Sequence, residues 1–312
     1  MAANQEIFDR LVRRDIRLRR LTRDELMQLL AYLERQTDSV DRLILAARNV
    51  ERRANLEALL DDIRAARADV WREIGTRLDD WGQGIVIAEA ENASAIMLAI
   101  FGVGVSALAA SVTTDITRRR AINGRTLGEW LEASQADELG RVAAALRIAA
   151  AAGANRAQLV REARRALGVT DRNLAAIVES LATHAASSAR EEALTGAGAN
   201  VAPRLTHWRW VSILDGRTSD VCRARSGKLY AVQSPHPTPP AHPRCRSSLA
   251  PVFEGQGRVR EETYAQWLTR QPEDVQDEIL GPERGRLFRS GRFTLTDFIE
   301  EPSGRRRRLD EL

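Results

Sequence analysis

Read as a pattern of apolar and polar positions, the first two hundred residues are helical almost throughout. Leu26, Leu29, Leu30 and Leu33 form one apolar stripe, and Thr22-Arg23-Asp24-Glu25 stands just ahead of it. That spacing is a capping box, in which a threonine hydroxyl and a glutamate carboxylate satisfy backbone amides reciprocally, so it predicts a helix start at Thr22. From about Asp41 to Trp81, Leu56, Leu60, Ile63, Val70, Ile74 and Leu78 recur at near-helical spacing, with Arg52, Asp61, Arg67 and Glu73 between them. The pattern predicts a long amphipathic helix, broken at most once, whose natural partner is another helix. Gly82 and Gly84 are expected to end it, and Asn123-Gly124 marks a turn. Residues 127–152, 156–167 and 173–194 read as further helices, with Gly168-Val169-Thr170-Asp171 supplying a stop and a fresh N-cap before the last.

One apolar run, Ala93 to Val112, is just long enough to span a bilayer. Ser94, Gly102, Gly104, Ser106 and many alanines lower its propensity to insert, and it lacks flanking aromatic residues. A buried hairpin, or a surface against other subunits, is the preferred reading, and no stable membrane insertion is expected.

The pattern changes after Gly196-Ala197-Gly198-Ala199-Asn200, the clearest linker in the chain. Thr206 to Leu214 alternates bulky apolar and polar residues as a half-buried strand does, with Asp215-Gly216 as its turn. Lys228–Val232 and Ser247–Phe253 can form two more strands, while Pro235, Pro237, Pro239, Pro240 and Pro243 forbid regular structure between them. Beyond Gly255-Gln256-Gly257, two short helices (Glu261–Arg270 and Pro272–Leu280) lead to a tail with Arg305-Arg306-Arg307-Arg308. The expected fold is therefore mainly α. A helical region (1–195) is followed by a small α+β hairpin-based module (201–255) and a short helical C-terminal tail with a polybasic end (256–312). The Gly-rich joint predicts that the module folds apart from the helices.

Composition and charge sharpen this picture. Low aromatic and high alanine content favours close-packed helices over sheets. Two cysteines in 312 residues do not make a disulfide framework, and no charged-then-apolar leader precedes Gln5, so the chain is expected to be made in a reducing cytoplasm. Residues 201–260 hold ten Arg/Lys against three Asp/Glu, whereas 1–200 balance and 261–312 carry a net of −3. The whole-chain excess of +4 thus lies in the module. Arginine outnumbers lysine 46 to one, and guanidinium forks bind phosphate or carboxylate bidentately. A basic face that meets DNA backbone or an acidic partner follows.

The candidate chemistry is concentrated between Trp208 and Val252. Cys222, His242 and Cys245 have the spacing C-x19-H-x2-C, and thiolates with imidazole suit tetrahedral zinc. Only His236, Asp220 or His207 is at hand to complete such a site, so a buried reduced thiol pair with a packed histidine is the favoured alternative. A nucleophilic Cys222 with His242 as base and Asp215 as orienter lacks a Gly-rich oxyanion turn after the cysteine. A metal-dependent nuclease centre of Asp215, Asp220 and His242 lacks a third fixed acid. No catalytic residue is assigned and no cofactor is expected, a structural zinc being the one alternative to packed thiols. Asp215, Arg217 and Thr218 suit turn chemistry: Asp215 accepts from backbone amides, Thr218 caps the helix carrying Cys222, and Arg217 pairs internally. Trp208 and Trp210, two apart, point to one face, which is a core face sooner than a base-stacking platform.

This stretch resembles the phage Mu protein F-like head morphogenesis family. The residues that carry the resemblance are Trp210, Asp215, Arg217, Thr218, Cys222, Gly227 and Tyr230, then Pro239, Pro240, His242, Pro243, Cys245, Arg246 and Pro251. Weaker landmarks are Gly124 to Trp130, Thr183 to Arg190, Tyr264 to Leu268 and Asp277 to Gly281. Many relatives carry a further cysteine two residues after the last one; here Ser247 stands there. The resemblance implies a non-enzymatic minor head protein beside the portal, in the capsid interior or at the portal vertex of the virion and in the host cytoplasm during assembly. Implied partners are the portal protein, the scaffold or major capsid protein, and double-stranded DNA bound without sequence preference. The competing classes are a carrier module related to phage-associated toxins and a zinc-containing DNA-binding or nuclease-like protein. About 57 residues follow the module, few for a sizeable catalytic domain.

Overall fold

A computed structural model of the chain describes residues 2–196, 203–213, 218–260, 262, 264–295, 297–300 and 305–312. The expected class holds: helices dominate, a three-stranded antiparallel sheet follows, and short helices close the chain. The helical part comprises α1 (Ala3–Ala46), α2 (Arg53–Phe101), α3 (Ala110–Thr114), which continues as a π-helical turn to Arg119, α4 (Leu127–Ala151), α5 (Arg156–Leu167) and α6 (Thr170–Gly196).

α1 begins well before Thr22, and its buried residues explain why. Ile7, Leu18, Leu29 and Val40 stand eleven apart, as do Leu11, Thr22, Leu33 and Ile44. Eleven residues make three helical turns, so both rows stay on one face of an almost straight helix. Thr22 fills a place in that stripe, with its hydroxyl donating to the Leu18 carbonyl 2.7 Å away inside the helix. The predicted capping box is therefore a mid-helix segment. Genuine capping boxes start α4, where Thr126 and Glu129 satisfy each other, and α5, where Asn155 and Gln158 do.

α2 likewise runs through Gly82 and Gly84 instead of ending there. Gly82 faces the core, where an added Cβ would stand 3.3 Å from Thr117 Cγ2 and 3.4 Å from Leu181 Cδ1. It lets α2 approach α6 closely and is no breaker. The helix stops at Gly102 in the left-handed conformation, φ 71°. The apolar run then turns back on itself, and Ser94 Oγ both donates to the Val105 carbonyl (2.9 Å) and accepts from its amide (3.0 Å). Among the described residues α2 is the one helix long and apolar enough to cross a membrane, with a window of mean hydropathy 1.6. The acid Glu89, on this same helix, is fully buried and paired with Arg14 and Arg190.

Asn123-Gly124 forms the expected turn, both residues with positive φ (52° and 84°) between bridged Ile122 and Arg125. Behind it lies a buried ion pair. Arg67 on α2 donates twice to Glu138 on α4 (2.6 and 2.9 Å), and Glu138 also accepts from Trp71 Nε1 (3.2 Å) and from Thr170 Oγ1 at the start of α6 (2.8 Å). One carboxylate thus fixes three helices.

The module's strands are β1 (Leu205–Ser212), β2 (Leu229–Ala231) and β3 (Ser247–Phe253), in the order β2-β1-β3, with the short helix α7 (Asp220–Arg225) between β1 and β2. Its sheet does not stand apart from the helices as the Gly-rich joint suggested. Ile7, Leu11, Ile96 and Met97 pack with Ala250 and Phe253, and the Asn4 side-chain amide donates from Nδ2 to the Phe253 carbonyl (2.9 Å) and accepts the Phe253 N–H on Oδ1 (2.8 Å). Arg190 on α6, almost fully buried, donates to the Leu249 carbonyl on β3 (3.0 Å), to Asp15 on α1 (3.0 Å) and to Glu89 on α2 (3.1 Å). Downstream, α8 (Tyr264–Thr269) and α9 (Glu273–Leu280) match the expected pair, and α10 (Pro282–Arg289) is an addition. They pack on the first turns of α1 through Trp267, Leu268 and Leu280 against Phe8, Val12 and Ile16.

Removing one partner of a buried pair strands the other charge in low dielectric. Glu138→Ala should therefore destabilise the protein by about 3–5 kcal/mol, read as a lower urea midpoint. Glu57→Ala, which breaks only the exposed pair with Arg147, should leave that midpoint nearly unchanged.

Candidate functional site

The module is built around two tryptophans. Trp208 and Trp210 alternate inward from β1, both with no exposed surface, and pack with Cys222, Cys245 and Leu249. The core-face reading of this pair holds. Trp210 Nε1 donates to Ser212 Oγ (2.9 Å), which donates to the Cys222 carbonyl (2.9 Å), so the strand end is tied to α7. Arg225 lies over the Trp210 ring at 5.1 Å. After α7 the chain must reverse, and Gly227 does this at φ +81°, its amide donating to the Trp210 carbonyl (2.9 Å).

Cys222, His242 and Cys245 meet at one point. Cys222 Sγ is 3.3 Å from His242 Nε2 and 3.6 Å from Cys245 Sγ, and all three ligand atoms lie within 4.8 Å of one another. Both thiols are buried and unbridged. His242 Nδ1 is 2.9 Å from the Pro243 carbonyl, which can only accept, so Nδ1 donates to it and Nε2 faces Cys222. Ser219 Oγ is 2.7 Å from that same nitrogen. Burial pushes the Cys222 thiol up, but hydrogen bonds with Ser219, Ser247, His242 and Cys245 outweigh it and hold the thiol below its ordinary value. Cys245 is pushed up by burial, and further by charge on Cys222. The pair therefore places its first negative charge on Cys222.

The remaining predicted residues divide into supports and absentees. Thr218 is buried and donates to the Ile213 carbonyl, and the amide of Cys222 at the start of α7, the helix that Thr218 is expected to cap, donates to Ser219 Oγ instead (3.4 Å). Pro240 is buried in the loop before His242, and Arg246 lines the crevice beside Cys222 and His242. Asp215 and Arg217 lie outside the described residues. His236 stacks on Tyr230 and faces Glu191 at 3.3 Å, and His207 sits on β1 opposite Ala231 and Val252. Neither belongs to the cluster. Residues not singled out as site residues complete the setting from α6: Thr183 donates to the Cys245 carbonyl (3.1 Å), and Ser180 accepts the Arg244 amide (3.3 Å). The available signal was three hydroxyl residues and an arginine, Ser180, Thr183, Ser187 and Arg190, at helical spacing on an otherwise Ala/Leu-rich helix.

Helix α6 and the thiol module therefore form one packed unit, and the comparison with known families covers that unit. Residues 140–250 match the family of phage Mu protein F like proteins. No curated protein and no solved structure matches the chain. The matched Mu F-like segment opens inside α4 and closes in β3, so it takes in α5 and α6 as well as the motif-bearing loops. Its Gly227 has room for a methyl group, the nearest atom to an added Cβ being Arg209 Nη2 at 3.6 Å. Gly227→Ala should then cost only the left-handed backbone penalty, about 1–2 kcal/mol by chemical denaturation. Gly227→Asn should recover part of it, since asparagine tolerates that conformation.

Proposed function

We propose that the chain is a minor head protein of a tailed phage, a structural component that joins the assembling head beside the portal and assists assembly or DNA handling. The observation that carries this reading is the match of residues 140–250 to the Mu protein F like family, on a segment that includes the packed α6 and thiol module. Its partners in this reading are the portal protein and the scaffold or major capsid protein. Apolar side chains left on helical surfaces, among them Met27, Ile87, Leu98 and Ile148, each more than half exposed, suit such subunit contacts. DNA is met through phosphates alone: the +7 segment 201–260 is basic, and the one helix among its described residues, α7, has six residues, too short to read a groove. The protein acts in this role without catalysis, in the virion and in the host cytoplasm during assembly.

Co-expression of the full chain with portal, scaffold and major capsid proteins, each in turn, should yield a complex that survives gel filtration with at least one of them. Three negative results would sink the reading. Gel shifts with unrelated duplexes should show equal affinities that fall about tenfold or more between roughly 50 and 200 mM salt. A preferred sequence, or salt-independent binding, contradicts phosphate-only contact.

A further inference from the structure

Spacing alone favours packed thiols, because a fourth ligand is missing. The geometry points elsewhere. Zinc holds thiolate sulfur at about 2.3 Å and imidazole nitrogen at about 2.0–2.1 Å, so tetrahedral angles place two sulfurs about 3.7 Å apart and sulfur and nitrogen about 3.5 Å apart. The two edges at Cys222 are close to these, 3.6 Å to Cys245 and 3.3 Å to His242 Nε2, and the third edge, Cys245 to His242, is within 4.8 Å.

The surroundings fit the same chemistry. His242 is oriented by its Nδ1–H to the Pro243 carbonyl, the outer bond that fixes tautomer and ring plane in metal-bound histidines. The turn from His242 to Cys245 is closed by Cys245 N–H donating to the His242 carbonyl (3.1 Å) and contains Arg244 at φ 60°. A non-glycine residue is uncommon there and persists when its neighbours hold it. Here Ser180 holds its amide and the Arg172 carbonyl its guanidinium (2.9 Å). The fold thus maintains a strained turn that brings the histidine and the second cysteine to one point.

We propose that Cys222, His242 and Cys245 bind one zinc ion, with a water as its fourth ligand. A crevice of about 10 Å³, room for one water, opens beside Cys222 and His242 and is lined by Ser219, Ser247, Arg244 and Arg246. Three protein ligands with one exchangeable position is a known zinc arrangement, and the two hydroxyls are placed to hold the water. Binding releases the two thiol protons to solvent and leaves a neutral Zn²⁺–dithiolate unit, which the apolar wall of Trp208, Trp210 and Leu249 can enclose.

The test uses the full chain, purified without a metal-binding tag or chelator. Elemental analysis should find about one zinc per chain, and less than about a tenth in the Cys222→Ser, Cys245→Ser double variant. Should that variant fail to fold, Co²⁺ added to metal-stripped wild type decides: a thiolate-to-cobalt charge-transfer band with the intense visible bands of tetrahedral cobalt is expected, and thiocyanate should shift them by displacing the water. Substoichiometric zinc without cobalt bands, full zinc retained in the double variant, or an intact mass showing a disulfide would each overturn the site. Cobalt bands unmoved by thiocyanate would overturn the open fourth position.

Discussion

The structure turns on one buried guanidinium. Arg190 touches β3 through a backbone carbonyl and α1 and α2 through carboxylates, while itself belonging to α6. An arginine in low dielectric is tolerable only if its charge is paired, and here the two terminal nitrogens find that pairing on three different elements, while Nε is left without a partner. Helices and sheet must therefore assemble together around it. The acids it gathers are in turn shared, since Glu89 also takes Arg14. Arg67 and Glu138 repeat the arrangement about six turns away along α2. In a chain so rich in alanine, small side chains bring helices close but specify register weakly; these buried forks set which residue meets which.

Much of the fold was legible because it rests on local chemistry. Strand Ser247–Phe253 and helix 156–167 agree with the sequence reading residue for residue, the one set by alternation and a proline-rich boundary, the other by an asparagine cap and a following glycine. The errors share a cause: a local motif competed with a longer period. Thr22 carries the sequence of a helix start, yet it belongs to an eleven-residue row that runs from Leu11 to Ile44. The arginine-rich stretch before it hid that row, since Arg17 and Arg20 find their acid on α9, at Glu278. Gly82 looks like a breaker in sequence and is a contact point in space.

The site was legible as composition but not as geometry. Cys222, His242 and Cys245 could be named from residue type and spacing, whereas their convergence depends on the backbone of Arg244 and on Ser180 and Thr183, which a helix about sixty residues upstream contributes. Spacing counts residues along the chain. It does not register a ring nitrogen turned by a neighbouring carbonyl, nor a turn held in the left-handed region by another element.

The eleven-residue row of α1 has a mechanical consequence. At 1.5 Å per residue its 44 residues form a strut of about 66 Å. Its first turn is fastened under the module's sheet by Asn4, and its last turns, Val40 and Ile44, lie in the cluster where α2, α4 and α5 meet. No hinge interrupts it. The unbroken helix therefore joins the α4–α5 end to the thiol module through one element, and its length sets how far apart the two are held.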